Sequence, residues 1–231
     1  MVTLNLEELS KHLSIPRNRD FFRYLQEYDN LSASQIQRLI NSHPGQPIRE
    51  LLTMIRRQRK ASVRITEADQ LLFTDKGLEQ SSSSLLASYH ASKLRNFKVT
   101  ADLTCGIGID LIHLAEGKTR IYAADTDAES LAAARYNCRV RQLEQVVFLQ
   151  QSAGDFSQPV EAIYLDPDRR PQGTRQISPE FGSPTLSEIL KLGKLTPNIL
   201  IKLSPALDFK MLKLPSPFTL EFISEKRVLK E

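Results

Sequence analysis

Apolar residues recur at helical spacing through the first sixty positions. LNLEELSKHL (4–13) and DFFRYLQEY (20–28) each place them three or four apart, which predicts two amphipathic helices. LSASQIQRLINS (31–42) opens with Ser32 and has Gln35 three residues on, the spacing of a capping box. Pro44-Gly45 breaks the chain. Pro47 then suits a first helical turn, and Ile48, Leu51, Leu52 and Ile55 form one stripe. No strand candidate interrupts this region, so residues 1–62 are expected to be a small helical domain.

The pattern changes near Val63. SVRITEADQLLFTDKGLEQ (62–80) holds short β-like pieces and turn residues, and SSSSLLASYHASKLRNF (81–97) reads as a helix with hydroxyl caps at its start. Short apolar runs then alternate with helical ones. The strand candidates are VTADLTC (99–105), RIYAAD (120–125), VVFLQQ (146–151), EAIYLDP (161–167) and NILIKLS (198–204). Between them lie GIDLIHLAEG, AESLAAARYNCRVRQ and SPTLSEILKLGKL. Such alternation predicts an α/β domain over residues 63–231, with a parallel sheet covered on both faces. FTLEFIS (218–224) is a candidate sixth strand.

A glycine turn follows the first strand candidate. Turns of this kind let the backbone approach a ligand, and the helix that follows favours anions. Gly106 and Gly108 give G-x-G, but Leu111 stands where a dinucleotide fingerprint needs its third glycine. Asp102, just before the turn, suits an ammonium better than a pyrophosphate. After the second strand, Asp125 is the candidate to accept two ribose hydroxyls, while Asp127 is placed to cap the next helix. A ribose, an ammonium and no phosphate describe S-adenosylmethionine. The plain alternative is a turn whose glycines serve packing only.

DLTCGIGID, IYAADTDAES, IYLDPDRRP and ILIKLSPALDF resemble motifs of the class I, Rossmann-like S-adenosylmethionine-dependent methyltransferases, in that order. GLEQSSSSLLASY resembles the segment that precedes their first strand and closes over the cofactor's methionine end. More narrowly, the set resembles a bacterial branch whose longer members carry a C-terminal THUMP-like domain. The resemblance covers residues 63–231; the helical part matches that branch in layout only. It implies a Rossmann-like methyltransferase sheet. Asp102, Gly106 and Gly108 would line the methionine part, Asp125 would hold the ribose, and Gln80 and Ser82 would close over the cofactor. Where the family often has an adenine-binding acid, Ser152 stands instead, with Asp155 three residues later. The family ends with a sixth strand and an antiparallel seventh. This chain reaches a sixth strand at best, so the domain is read as truncated or as a sheet with an open edge.

Methyl transfer needs mainly alignment, because the donor arrives activated. The residue after the fourth strand usually faces the methyl; here it is Asp166, able to orient a nucleophile and accept its proton. Pro167 stiffens that loop, and Arg169 and Arg170 suit a substrate phosphate or carboxylate. C5-pyrimidine chemistry needs a cysteine near this loop, and none is there; Cys105 fits a small buried thiol. Lys202 on the fifth strand is a second catalytic candidate, or a lysine that pairs with Asp166. Lys93 and Glu225 would complete a set of the kind found in ribose 2′-O-methyltransferases.

Composition alters this picture in two ways. No apolar run approaches the length of a membrane span, and the acidic N-terminus is not a targeting peptide, so a cytoplasmic protein is expected. Two cysteines and four scattered histidines give no metal framework. In residues 1–64, eleven Lys and Arg face six Asp and Glu, an excess of five, although the whole chain carries only +4. Arg56, Arg57, Arg59 and Lys60 concentrate that charge, which favours RNA as substrate and partner. A small-molecule or protein methyltransferase, with the basic helices merely solvated, is the alternative. A non-catalytic binding module that keeps the fold is another. The target atom and the oligomeric state are not legible.

Overall fold

A computed structural model describes residues 4–168, 182–203, 205, 212, 214, 217–225 and 227–231. The described helices are α1 (Leu6–Ser14), α2 (Pro16–Gln26), α3 (Ala33–Ser42), α4 (Ile48–Ala61), α5 (Asp75–Gln80), α6 (Ser84–Leu94), α7 (Ile109–Leu114), α8 (Ala128–Val140) and α9 (Leu186–Lys191). The strands are β1 (Val99–Asp102), β2 (Arg120–Asp125), β3 (Val146–Gln150), β4 (Ala162–Leu165), β5 (Ile199–Ile201), β6 (Ser224–Glu225) and β7 (Val228–Leu229). The chain divides into two compact units that interleave along the sequence. One takes Met1–Tyr89, Gly106–His113 and Asp127–Glu144; the other takes His90–Cys105, Leu114–Thr126 and Gln145–Glu231. Pattern reading places one linear boundary near residue 62, whereas α8 packs with α1 in the first unit.

In the first unit the helices form for local reasons. Asn5 and Glu8 make a reciprocal capping box on α1, both bonds 2.9 Å, and Leu6, Leu9 and Leu13 turn inward. Ser32 and Gln35 form the expected box on α3. Along α4, Ile48, Leu51, Leu52 and Ile55 are buried as their spacing predicts, together with Met54, Gln58 and Ala61. The β-like reading of residues 62–80 needs correction. The apolar run Leu71-Leu72-Phe73 is buried but joins no ladder. Apart from the Leu71 N–H, which bonds Ala68 O, its backbone is met by side chains. Asn137 serves both polar groups of Leu72, Gln58 Nε2 donates to Leu71 O at 2.9 Å, and Arg57 Nη1 donates to Phe73 O at 3.1 Å.

The second unit holds a five-stranded parallel sheet in the order β3-β2-β1-β4-β5. β4 is buried throughout and β2 is buried at Ile121–Ala124, as expected for strands covered on both faces. Ala101, Leu103, Tyr122, Ala124, Ile163 and Leu165 pack with Ala153, Phe156, Ile189 and Leu192 into one core. The chain leaves β1 toward β2 and β3, then returns to β1's other side as β4. Strand order therefore reverses at the carboxyl ends of β1 and β4, the place where open α/β sheets receive ligands. The expected sixth strand does not form. Phe218, Leu220 and Phe222 are exposed, so their alternation finds no buried face. Ser224–Glu225 instead pairs antiparallel with Val228–Leu229 in a separate two-stranded sheet.

Candidate active site

Five sequence-predicted residues stand in a row along one edge of the second unit, because each follows or ends a parallel strand. Asp102 ends β1, buried, with the Thr104 N–H donated to its Oδ1 at 3.2 Å. Asp125 ends β2, half-buried, and its backbone C=O accepts the Gln151 N–H at 3.2 Å. Ser152 follows β3, exposed, and its hydroxyl donates to Asp155 Oδ2 at 2.7 Å. Asp166 follows β4 and Lys202 follows β5. Lys202 Nζ meets Asp166 Oδ2 at 2.6 Å, with the lysine side chain 11% exposed and the aspartate 26%. That pair is dry on the lysine side and open on the carboxylate side. At about 4.8 Å per strand, the row spans about 19 Å. Pro167 is half-buried beside Asp166. Arg169 and Arg170 lie outside the described residues.

The first unit carries the glycine turn and the serine segment. Gly106 has φ +52°, and a Cβ there would meet no atom within 4 Å. Gly108 has φ +86°, and a Cβ there would lie 3.2 Å from Ala134 Cβ, so this glycine also lets the turn sit close on α8. Asp127 caps α8, accepting the Ser130 N–H at 2.9 Å. Burial pushes its carboxyl up, but hydrogen bonds from Ser130 and the Glu129 N–H outweigh that and hold it below the usual aspartate range. Of the two acids after β2, Asp127 is thus the cap. Gln80, the last residue of α5, is exposed, whereas Ser82 is buried. Ser83 Oγ accepts the Leu86 N–H at 3.3 Å and caps α6.

Several residues that position this machinery escaped the pattern reading. Asn137, fully buried in α8, accepts the Leu72 N–H at 2.7 Å and donates to Leu72 O at 3.0 Å and Ile107 O at 2.9 Å. It ties the glycine turn to the segment before α5. A Cβ on Gly77 would lie 2.4 Å from Ile107 Cγ2, so α5 reaches the turn only because residue 77 has no side chain. Arg64 donates to the carbonyls of Leu78 and Ser81 and fixes the stretch between α5 and α6. A helix-interior Asn among alanines was the available signal for Asn137.

The basic cluster is smaller than its sequence suggests. Arg57 grips Asp75 with two bonds of 2.8 and 2.7 Å, which hold that carboxyl below its ordinary range. Arg59 meets Asp29 at 2.9 Å and donates to Gln26 O and Tyr28 O. Arg56 and Lys60 remain exposed. Lys93 pairs with Glu221 at 2.6 Å, and Glu225 lies in the β6–β7 hairpin. Cys105 and Cys138 are buried and form no disulfide with each other. Among the described residues, no group of three or more His, Cys, Asp or Glu is arranged to hold a metal, and no helix is long and apolar enough to cross a membrane.

No family model matches the chain. Two curated Mycobacterium tuberculosis proteins, from strains CDC 1551 and H37Rv, are each named an uncharacterized S-adenosylmethionine-dependent methyltransferase. Each is 31% identical over 144 residues, which is 61% of this chain and 38% of theirs. A solved structure from Porphyromonas gingivalis W83, assigned as a methyltransferase, superposes with TM-score 0.64 at 25% identity, covering 82% of this chain and 49% of that one. The chain thus spans about half or less of the length of these relatives. The five-stranded parallel sheet matches the fold of Rossmann-like methyltransferases.

Proposed function

We propose that the chain is an S-adenosylmethionine-dependent methyltransferase acting on RNA. The observation that carries the first half is the row of strand-end carboxylates at the switch point, Asp125, Asp102 and Asp166, with Lys202 paired to the last. The donor set fits the cofactor's chemistry. A buried carboxylate at Asp102 suits an ammonium, and a half-buried one at Asp125 can accept two ribose hydroxyls. Open space over Gly106 leaves room for a close approach to backbone. When bound, S-adenosylmethionine supplies a methyl on an electrophilic sulfonium, so the protein need not activate the donor.

The chain's own residues then divide the work. Asp102, Gly106 and Gly108 hold the methionine part, Asp125 the ribose, and Ser152 or Asp155 the adenine edge. Gln80 and Ser82 cover the cofactor. Asp166 orients the nucleophile and takes its proton through the carboxylate. Lys202 pairs with that carboxylate and fixes its rotamer. Pro167, Arg169 and Arg170 are the residues assigned to substrate binding. The helical residues 1–62 add affinity for RNA to the cofactor domain 63–231, through Arg56, Lys60 and the excess positive charge there.

Single-turnover incubation with methyl-labelled cofactor and separate pools of total RNA, protein and metabolites tests both halves. Label in RNA alone is expected. Label in protein or metabolites would keep the enzyme and overturn the substrate. Cofactor binding without label in any pool would leave a binding module.

A further inference from the structure

The β1–β4 ladder carries the Leu103 N–H to Tyr164 O at 3.1 Å. In a regular parallel ladder the Asp166 N–H would next bond the Leu103 carbonyl. Here the Asp166 N–H donates to Thr104 Oγ1 at 2.6 Å, just where the chain leaves β1 for the glycine turn. The Thr104 N–H donates to Asp102 Oδ1 at 3.2 Å. From the opposite neighbour, the Lys202 N–H donates to Leu165 O at 2.8 Å, and its ammonium holds Asp166 Oδ2. Asp166 is therefore gripped at its backbone from the β1 side and at its carboxylate from the β5 side.

We infer that Thr104 is a positioning residue whose hydroxyl stands in for a strand carbonyl, fixes the turn that presents Asp166, and sets it in register with Asp102. The inference rests on the proposed roles of those two acids and adds the side chain that links them. A β-branched residue suits the task, because its χ1 is restricted and the acceptor stays aimed. A valine would match the shape and lose the acceptor. A serine would keep the acceptor and loosen its aim.

The test compares Thr104→Val and Thr104→Ser with the parent in three measurements. These are hydrogen exchange of the Asp166 amide by NMR, calorimetric affinity for S-adenosylhomocysteine, and single-turnover methyl transfer to total RNA. In Thr104→Val, the Asp166 amide is expected to exchange about tenfold faster or more, and transfer to slow by about tenfold or more, the order set by a half-buried N–H losing an acceptor. Cofactor affinity should change less than about threefold, since the Thr104 N–H is retained. Thr104→Ser should stay within about threefold of the parent throughout. Parent-like exchange and rate in Thr104→Val would overturn the inference. So would a Thr104→Ser variant as impaired as Thr104→Val, which would mean the methyl group's packing matters and the hydroxyl does not. If the parent labels no pool but its Asp166 amide still depends on the hydroxyl, the positioning role stands and the methyl-transfer reading fails.

Discussion

Replacing Asn137 with alanine should destabilise the protein more than most core truncations, through hydrogen bonding. The side chain makes three bonds, all to backbone groups of the buried residues Leu72 and Ile107. Removing it leaves one N–H and two carbonyls without that partner, at about 1–2 kcal/mol each, so the loss is about 3–6 kcal/mol. A typical domain has about 5–15 kcal/mol in total. With a urea m-value of about 3 kcal/mol/M, the denaturation midpoint should fall by about 1–2 M. Asn137→Leu fills the same space and makes none of the bonds, so it should lose about as much. Both variants should also bind S-adenosylmethionine more weakly, since Ile107 lies within the glycine turn. A midpoint within about 0.3 M of the parent for Asn137→Leu, equivalent to about 1 kcal/mol, would refute the reasoning.

Four further outcomes are expected. Asp125→Ala should weaken cofactor binding by about 1.5–3 kcal/mol with little effect on folding, whereas Asp127→Ala should cost about 1 kcal/mol of stability and spare the cofactor; calorimetry and urea titration separate the two. Because Asp127's carboxyl is held below its unfolded value, its contribution is present at neutral pH and fades as pH falls through the lowered pKa, so parent and Asp127→Ala should converge in acid. Replacing Arg56 and Lys60 with Gln should weaken RNA binding and make the salt slope shallower by about 1.4 in log–log terms, while an unchanged slope would make them solvated side chains only. Thr100 Oγ1 is buried in β1 with no hydrogen-bond partner among the described residues, so Thr100→Val should keep or raise stability by about 1 kcal/mol, read as the thermal midpoint.

The strands β1 to β5 were legible because each is a short apolar run between helical segments, and a parallel sheet buries such runs on both faces. Asp166 beside Lys202 was legible for the same reason, since residues just past neighbouring parallel strands meet. Leu71-Leu72-Phe73 misled because its apolar pattern says "buried" but not what bonds its backbone; Asn137 lies 65 positions from Leu72. Arg57 and Arg59 misled similarly. A sequence shows their charge, but Asp75 and the carbonyls that hold them come from other elements. The alternation in FTLEFIS signalled a strand with one buried face, whereas Phe218, Leu220 and Phe222 are all exposed. Asp127 as the cap of α8 was legible from its place just before that helix, where its carboxylate meets the Ser130 N–H.

The most direct test of the central claim is calorimetric titration of the protein with S-adenosylmethionine, S-adenosylhomocysteine and NAD. The strand-end carboxylates and the missing third glycine predict saturable binding of both adenosyl compounds, weakened in Asp125→Ala, and no binding of NAD. Tight NAD binding with no heat from either adenosyl compound would contradict it.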